Sequence, residues 1–417
     1  MALKNTRPRV LIAGAGLSGL TLAQSLRKQN IPFEIFERDT DPISRASGWA
    51  IGLHSVLDDL LSDVPQDMPP FKDSVDHLVP LDLEAQIGFF FRGQRQVVQD
   101  TPGKLIVRAN RFRFREWLSN QIPIQWGKKV IDVVDAGDEV RVHFADGTTA
   151  VGDILVGADG VNSVVREHIL QRPNKETLRA VPAAIISGET NFSGGEFERQ
   201  LSLAHSCYVV SSPGTPGYFL FVGLRQVTPD GNSGEYYWHL FIDDGVIEKE
   251  DHWLRSASQA EKLDYAMKLT SALEPKFTEV IRATPPSGVL AQPLNIRDGE
   301  IEDLPVGRIT LLGDAIHPMT PFRGEGGVHA LRDALNLGKA LGRLNSNDRN
   351  EIEALLGPYQ GEALERGIAA TRASRNAQRV NTAGEGNLTA WGQVAVPAPE
   401  EHVSLGNCRG AACKTGA

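Results

Sequence analysis

Residues 10–37 read VLIAGAGLSGLTLAQSLRKQNIPFEIFE and decide the fold of the first part of this chain. A short apolar run, Val10 to Ala13, leads into glycines, and leucines recur at helical spacing between Leu17 and Gln29. A second apolar run, Phe33 to Phe36, follows. Strand, tight turn, helix and strand within about 30 residues predict a βαβ unit, which favours a doubly wound nucleotide-binding domain.

The turn in this unit, Gly14 to Gly19, has the G-x-G-x-x-G spacing of a dinucleotide-binding loop. In such a loop Gly14 permits the tight turn, Gly16 lets the backbone approach a pyrophosphate, and Gly19 lets helix and strand pack closely. The N–H groups at the helix N-terminus then face the phosphates. Glycine-rich segments also form ordinary turns, but here a strand precedes the loop and a helix follows it.

An acidic residue stands where the ribose of a bound nucleotide would lie. Glu37 ends the second apolar run, 18 residues after Gly19, and its carboxylate can accept hydrogen bonds from a ribose diol. We therefore predict nucleotide contacts along this whole unit, at Gly14, Gly16, Leu17, Ser18, Gly19, Glu37 and Arg38.

The composition is that of an ordinary globular protein, with 41% hydrophobic and 23% charged residues among 417. A net charge of −9 argues against nucleic acid or anionic lipid as a general partner. The three cysteines, Cys207, Cys408 and Cys413, have no disulfide or metal-ligand spacing, so no metal site is predicted. No secretory signal and no membrane-spanning run of about 18–20 apolar residues is evident. We expect a cytoplasmic protein, and the oligomeric state stays open.

The order of predicted elements indicates an α/β fold. It comprises a doubly wound FAD-binding domain, an inserted, mainly antiparallel β-sheet substrate domain, and a helical C-terminal segment. The inserted domain is indicated by aromatic and β-branched runs separated by turn residues. We place the boundaries at residues 1–177 and 293–383 for the FAD-binding domain with its C-terminal helices, at 178–292 for the substrate domain, and at 384–417 for a loosely ordered tail.

Two later motifs carry a resemblance to a known family. The segment Val156 to Arg166, VGADGVNSVVR, resembles the Asp-Gly motif of class A flavoprotein monooxygenases, the group of p-hydroxybenzoate hydroxylase. Ile309 to Pro318, ITLLGDAIHP, resembles the Gly-Asp motif of that family and continues into Pro321 to Gly327, PFRGEGG. The order of the three motifs also matches. The resemblance implies that they converge on one cleft that binds FAD.

This resemblance also implies roles for individual residues. Asp159 would serve the pyrophosphate region of FAD, and Asp314 would accept hydrogen bonds from the ribityl hydroxyls. Arg111 opens a helix similar to the R-x-x-L-R-x-x-L helix of the family and would contact phosphate or ribityl oxygens, while Arg45 is a weaker candidate in the loop that covers the flavin. The further FAD contacts implied are Gly48, Gly313, Pro321, Gly324, Gly326, Gly327 and Val328.

The sequence departs from the family at Val328, where Asn is usual, and at Glu325, where Gln is common. Val328 removes an amide that could bond near the isoalloxazine, although backbone groups would still hold FAD. For two arginines the sequence leaves two possible roles open. Arg323 is either part of the field around the flavin or a solvated residue, and Arg166 is either functional or on a helix surface.

The substrate pocket should lie between the flavin and the aromatic strands of the inserted domain. Tyr218, Tyr236 and Trp238 are candidate pocket residues, although most aromatics in such strands belong to the core. No catalytic residue can be assigned, because His205, His239 and His317 are equal candidates for a base.

The activity implied by the resemblance is that of a flavin monooxygenase, a hydroxylase or epoxidase of secondary metabolism. NAD(P)H would reduce FAD, and one atom of O2 would enter an electron-rich, aromatic or polyene small molecule. An FAD-dependent dehydrogenase, oxidase or cyclase without oxygen insertion is an alternative, as is a non-catalytic flavin-binding protein. An NAD-dependent dehydrogenase would instead be colourless.

Overall fold

The fold is given by a computed structural model. The structure describes residues 7–44, 48–91, 94–99, 107–212, 216–383, 389–390, 393–394, 396–399, 401–406 and 408. Arg45 and Cys413 lie outside these described residues.

The strands, in chain order, are β1 (Val10–Ala13), β2 (Phe33–Phe36), β3 (Ala50–Leu53), β4 (Gln86–Phe91), β5 (Gln94–Gln99), β6 (Val107–Asn110), β7 (Ile124–Gln125), β8 (Val130–Asp135), β9 (Val140–Phe144), β10 (Thr149–Gly152), β11 (Ile154–Gly157), β12 (Arg179–Ala180), β13 (Ala183–Ser193), β14 (Cys207–Ser212), β15 (Tyr218–Val227), β16 (Ser233–Asp243), β17 (Arg297–Asp298), β18 (Ile309–Leu311), β19 (Thr389–Ala390), β20 (Gln393–Val394) and β21 (Val396–Pro397). The α-helices are α1 (Leu17–Lys28), α2 (Leu57–Asp63), α3 (Phe71–Val75), α4 (Arg111–Leu118), α5 (Val164–Leu170), α6 (Asn174–Thr177), α7 (Gly194–Leu203), α8 (Trp253–Ser256), α9 (Gln259–Leu269), α10 (Pro275–Ala283), α11 (Gly326–Leu341) and α12 (Arg349–Ala383). Short 3₁₀ turns occupy Pro286–Gly288, Gly313–Ala315 and Pro321–Arg323.

A parallel sheet with the order β18-β11-β1-β2-β7 forms the first layer. Its central strands are apolar and fully buried, as strands covered on both faces must be. The predicted βαβ unit is therefore confirmed. Because the strands are parallel, the carboxyl ends of β1, β11 and β18 meet at one edge. That edge carries the three sequence motifs, as open α/β sheets require of a ligand site.

A second, mainly antiparallel sheet has the order β13-β16-β15-β14-β4-β5-β21. Strands β13 to β16 come from the inserted segment, as expected. Strands β4 and β5 come from the preceding part of the chain, because β4 pairs in parallel with β14 from Ile87–Cys207 to Phe90–Val210. The sheet thus extends beyond the segment 178–292 that the aromatic runs indicate.

One face of this second sheet is covered by helices. Helix α10 begins with Pro275 in its first turn and buries Phe277, Val280 and Ile281 against the sheet. The opposite face looks towards the carboxyl edge of the parallel sheet. The space between the two sheets holds the site described below.

Part of the C-terminal tail is packed, in contrast to the loosely ordered tail expected from its composition. Strand β21 pairs with β5, and the carbonyl of Cys408 accepts a hydrogen bond of 2.6 Å from the backbone N–H of Asp82. Among the described residues, none of the helices combines the length and apolarity that a membrane crossing needs. The same residues hold no His, Cys, Asp and Glu cluster suited to a metal ion.

Candidate active site

A cavity of about 1130 Å³ lies between the two sheets. Gly16, Asp159 and Gly326, one from each motif, line this cavity although they are far apart in the sequence. The predicted convergence of the three motifs on one cleft therefore holds in the structure.

The glycine loop after β1 leaves room next to the helix that follows it. Gly14 has a φ of +110°, and a Cβ there would lie 2.3 Å from the carbonyl oxygen of Ala158. A Cβ on Gly19 would lie 2.1 Å from the carbonyl oxygen of Gly14, so helix and strand touch. A Cβ on Gly16 would meet nothing within 4 Å. The N-terminus of α1 has neither a side-chain cap nor an acidic residue in its first turn, so its N–H groups suit an anion.

Two charged side chains frame this glycine loop. Glu37 is buried and accepts a hydrogen bond of 2.9 Å from the N–H of Ala15, while the Nε of Arg115 donates to the carbonyl of Ala15 over 3.0 Å. Nη2 of Arg115 is buried and has no hydrogen-bond partner among the described residues. This nitrogen lies 3.7 Å from Oε2 of Glu37, which makes an ion pair but is too long for a hydrogen bond. A cationic donor with spare hydrogen-bonding capacity beside an open glycine fits a pyrophosphate. The sequence analysis predicts a role for Arg111 alone in this helix, but Arg115 is the second arginine of the R-x-x-L-R-x-x-L pattern, and that pattern is the signal for it.

The carboxylate of Asp159 is engaged within its own motif. It accepts hydrogen bonds from the Ser163 hydroxyl, from the Val164 N–H at 2.8 Å and from the Val165 N–H at 3.2 Å. Asp159 therefore caps the start of α5, and burial raises its pKa. What this motif presents to the cavity is mainly the turn from Asp159 to Asn162.

Arg166 is fully buried and joins the second motif to the third. Its Nη1 donates to the backbone carbonyls of Asp314, over 3.2 Å, and Ala315, over 3.0 Å, and Nε donates to Asn174 over 2.9 Å. Desolvation lowers the pKa of Arg166 to about 10. Arg166 thus lies neither on a helix surface nor in the cavity lining, because it holds two motifs together from inside the protein.

The side chain of Asp314 projects into the cavity and is exposed there. The surrounding protein still desolvates it and raises its pKa, although the charges of Arg111 and His317 oppose that shift. Arg111 also lines the cavity, where its guanidinium lies beside Gly48. A carboxylate and a guanidinium thus share one wall, as the ribityl part of FAD would require.

A buried carboxylate fixes the turn that carries Asp314. Asp333 accepts hydrogen bonds from the Gly313 N–H at 2.8 Å and from Arg366 at 2.5 Å, and Nε2 of His317 lies 2.6 Å from it. The contact with Asp333 raises the pKa of His317 against the effect of desolvation. Gly313 has a φ of +61°, so this turn favours glycine.

The glycine-rich segment after the third motif forms another wall of the cavity. A Cβ on Gly327 would lie 2.0 Å from Cδ1 of Ile51, whereas a Cβ on Gly326 would meet only Met319. The guanidinium of Arg323 forms two hydrogen bonds of 2.8 Å with the carboxylate of Glu325, which neutralises its charge. Helix α11 begins here without a side-chain cap, so its positive end faces the cavity.

Most of the predicted cofactor residues line the cavity, namely Gly14, Gly16, Leu17, Ser18, Glu37, Arg38, Gly48, Arg111, Asp159, Asp314, Pro321, Gly324, Gly326 and Gly327. Gly19, Gly313 and Val328 do not. Gly19 and Gly313 lie behind the wall, where they permit close packing. The side chain of Val328 is buried in the core on the inner side of α11 and does not reach the cavity.

The aromatic face of the second sheet differs from the expectation. Tyr218, Tyr236 and Trp238 point away from the cavity into the core beneath α9 and α10, where Nε1 of Trp238 donates to the hydroxyl of Thr284 over 2.9 Å. Successive side chains of a strand alternate between faces, so the other set lines the cavity. That set comprises Phe219, Phe221, Tyr237, His239 and Phe241.

Trp49 links the first part of the chain to this aromatic face. Its ring stacks on Tyr237 with centroids 5.1 Å apart and meets His239 edge-on at 4.6 Å. Its Nε1 donates to Glu189 over 2.5 Å. Arg108, from β6, donates to the hydroxyl of Tyr237 from below the same face.

The three candidate histidines lie in different parts of the structure. Nδ1 of His205 lies 2.8 Å from the carbonyl of Glu84, and His317 lies behind the third motif. His239 is the one of the three that lines the cavity, and desolvation lowers its pKa to about 3. Its imidazole is therefore neutral at physiological pH.

Sequence comparisons give two family matches. The profile of the FAD binding domain matches residues 115–374, and that of the NAD(P)-binding Rossmann-like domain matches residues 12–59. The FAD-dependent monooxygenase thnD of Trichoderma harzianum is 46% identical over 372 residues, which cover 88% of this chain and 92% of thnD. The FAD-dependent monooxygenase cctM of Talaromyces islandicus is 28% identical, with 88% of this chain and 91% of cctM covered.

Solved structures show the same fold at low sequence identity. The 2,6-dihydroxypyridine-3-hydroxylase of Arthrobacter nicotinovorans has a TM-score of 0.69 and 18% identity, with 92% of this chain and 95% of that chain covered. Klebsiella pneumoniae HpxO, solved with FAD and uric acid, has a TM-score of 0.68 and 21% identity, with 90% of this chain and 88% of that chain covered.

Proposed function

The chain belongs to the class A FAD-dependent monooxygenases, and from this we propose that its inter-sheet cavity holds FAD along the three motifs and an electron-rich, aromatic or polyene substrate against the second sheet. The enzyme uses FAD and NAD(P)H to insert one atom of O2 into a small molecule. The observation that carries the proposal is the single cavity shared by the three motifs and the aromatic strand face.

Several residues would hold the nucleotide end of FAD. The pyrophosphate would lie over Gly16, at the N-terminus of α1, where Nη2 of Arg115, which makes no hydrogen bond within the described residues, would donate to it. Glu37 would accept hydrogen bonds from the adenosine ribose. These residues suit the group because they combine empty space over Gly16 with a buried Arg115 Nη2 that makes no hydrogen bond within the described residues, although it lies 3.7 Å from Glu37.

The flavin end would lie along the third motif. Asp314 and Arg111 would bond the ribityl hydroxyls, and the backbone from Gly324 to Gly327 would approach the ring. The positive end of α11 would stabilise negative charge on the reduced ring. When bound, FAD supplies the redox chemistry, accepting a hydride from NAD(P)H and activating O2.

The residues of the chain would orient the substrate and exclude water. The side chains of Phe219, Phe221 and Phe241 are apolar, so they offer water no hydrogen-bonding groups on the substrate side of the cavity. The ring of Trp49 stacks on Tyr237 and so covers part of the substrate side of the cavity. A dry, aromatic wall favours flat apolar substrates and protects a reactive oxidant from water.

The test begins with the visible spectrum of the purified protein, which should show bound flavin. NADPH or NADH oxidation is then followed with a panel of phenols, naphthols and polyenes under ¹⁸O₂. We expect substrate-stimulated oxidation and one labelled oxygen atom in the product. Product formation without label would instead indicate a dehydrogenase or cyclase, and bound FAD without turnover would indicate a flavin-binding protein.

A further inference from the structure

We propose that the substrate is a neutral hydroxylated aromatic, not an aromatic carboxylate, and that His239 and Tyr237 recognise its hydroxyl group. This inference rests on the proposed function, because it assigns the substrate class of the same cavity. It is carried by the charges and hydrogen bonds of the aromatic sheet face.

The sheet offers no partner for an anion. In the part of the chain that the structure describes, strands β4 and β13 to β16 contribute no cationic side chain to the cavity lining. Arg108, from β6, also lines the cavity, but it is buried, and its guanidinium already donates to the carbonyl of Leu224 over 2.7 Å and to the Tyr237 hydroxyl. A carboxylate against this face would lose its hydration without gaining an ion pair.

His239 is held as a neutral hydrogen-bonding group. Its Nδ1 lies 2.7 Å from the hydroxyl of Ser187, the residue opposite it on β13. In the tautomer in which Nδ1–H donates a hydrogen bond to the Ser187 hydroxyl, Nε2 is left as an acceptor. The ring is packed between Trp49 and Phe221, whose centroids lie 4.6 and 6.0 Å away. A substrate hydroxyl that donates to this nitrogen gains electron density in its ring, which favours attack by an electrophilic oxygen.

Tyr237 provides the second polar contact of the same face. Its hydroxyl accepts a hydrogen bond from Arg108, so the proton of that hydroxyl is free for an acceptor such as the substrate oxygen. Gly223, opposite Tyr237 on β15, makes room for the ring, because a Cβ there would lie 2.7 Å from Cζ of Tyr237. An acceptor and a donor thus lie two residues apart on one strand, and both match a phenolic hydroxyl.

The experiment uses the FAD-loaded enzyme and three probes of one size, 2-naphthol, 2-methoxynaphthalene and 2-naphthoate. Dissociation constants are measured by calorimetry and by the change in flavin absorbance. We expect 2-naphthol to bind about tenfold more tightly than 2-methoxynaphthalene, which cannot donate a hydrogen bond, and 2-naphthoate to bind more weakly still. Equal or tighter binding of 2-naphthoate would overturn the proposal, and so would the absence of any 2-naphthol binding.

Variants assign the preference to His239. His239→Phe should abolish the difference between 2-naphthol and 2-methoxynaphthalene, and His239→Gln should restore part of it. The matched control Phe221→Leu, on the neighbouring strand, should weaken all probes to a similar degree. An unchanged ratio in His239→Phe would refute the role of His239. Failure of both NADPH and NADH to reduce the flavin in the wild-type enzyme would instead refute the proposed function, so the two failures are distinguishable.

Discussion

The guanidinium of Arg166 donates a 3.2 Å hydrogen bond to the backbone carbonyl of Asp314, across 148 residues of sequence. The contact ties the turn after β11 to the turn after β18. Because Asp314 faces the cavity while Arg166 lies behind it, the position of the cavity wall depends on a side chain that FAD would not touch.

Arg166→Met should therefore destabilise the protein. It leaves the buried carbonyls of Asp314 and Ala315 without their donor, which we expect to cost about 3 kcal/mol of unfolding free energy. Urea denaturation of the apoprotein measures this loss, and FAD affinity should fall as well. The exposed Arg172 is the control, since Arg172→Met should change stability by less than about 0.5 kcal/mol. Equal effects of the two changes would contradict the bridging role of Arg166.

The two glycines of the first turn should respond differently to alanine. Gly14→Ala combines a positive φ with a clash against the Ala158 carbonyl, so we expect a loss of about 3 kcal/mol in the apoprotein. Gly16→Ala meets open space, so the apoprotein should change by less than about 1 kcal/mol. Its methyl group would nevertheless occupy the space assigned to the pyrophosphate, and FAD binding should weaken about tenfold or more. Retention of normal FAD affinity by Gly16→Ala would show that the pyrophosphate lies elsewhere.

Asp314 should lower the stability of the apoprotein at neutral pH and at the same time increase the affinity for FAD. Its pKa is raised by desolvation, so at neutral pH the folded state holds an ionised group less favourably than the unfolded chain does. That cost appears as pH rises from the unfolded pKa through the folded pKa. Asp314→Asn should therefore stabilise the apoprotein at pH 7, with no gain at low pH, and Asp314→Ala should greatly reduce FAD retention. The control Asp303→Ala changes an exposed carboxylate outside the cavity lining, and a fully yellow Asp314→Ala protein would contradict our assignment.

His317 should give stability a specific pH dependence. Its pKa is raised in the folded state by Asp333, so the stabilisation is complete below the unfolded pKa of about 6.5 and is lost as pH rises through the folded pKa. His317→Gln keeps a donor for Asp333 but cannot titrate. The stability difference between wild type and His317→Gln, measured by urea denaturation from pH 5 to 9, should shrink with rising pH. A difference that is constant over this range would show that the His317–Asp333 contact is not charged.

The sequence predicts the parallel sheet and the convergence of its motifs because these depend on local patterns. Strand, glycine turn and helix are all encoded between Val10 and Lys28, and the ends of parallel strands meet by geometry. Residues such as Gly14 and Asp314 could thus be assigned to the cavity without knowledge of any long-range contact. Their placement follows from the ends of β1 and β18.

Other features depend on contacts that a single sequence does not encode. The sequence does not determine which face of β15 and β16 is turned to the cavity, because both faces carry aromatic residues. Tyr236 and Trp238 lie in the core, whereas Tyr237 and His239 line the cavity. The inward direction of Val328 depends on how α11 packs, because Val328 lies on the buried side of this helix with Leu331 and Leu335. The pairing of β4 with β14 joins segments about 120 residues apart and left no periodic signal.

The alternation along β15 and β16 has a consequence for how this enzyme can be changed. Phe219, Phe221, Tyr237, His239 and Phe241 touch the cavity, whereas their immediate neighbours hold the sheet to its helices. A mutant library confined to every second position would alter which molecules are accepted, but Phe219 and Phe241 also pack in a buried cluster with Ile185, so these two positions should keep a large apolar side chain. The same library shifted by one residue would mainly destabilise the protein, because those side chains are buried against the helices, so only alternate positions of these strands can change selectivity.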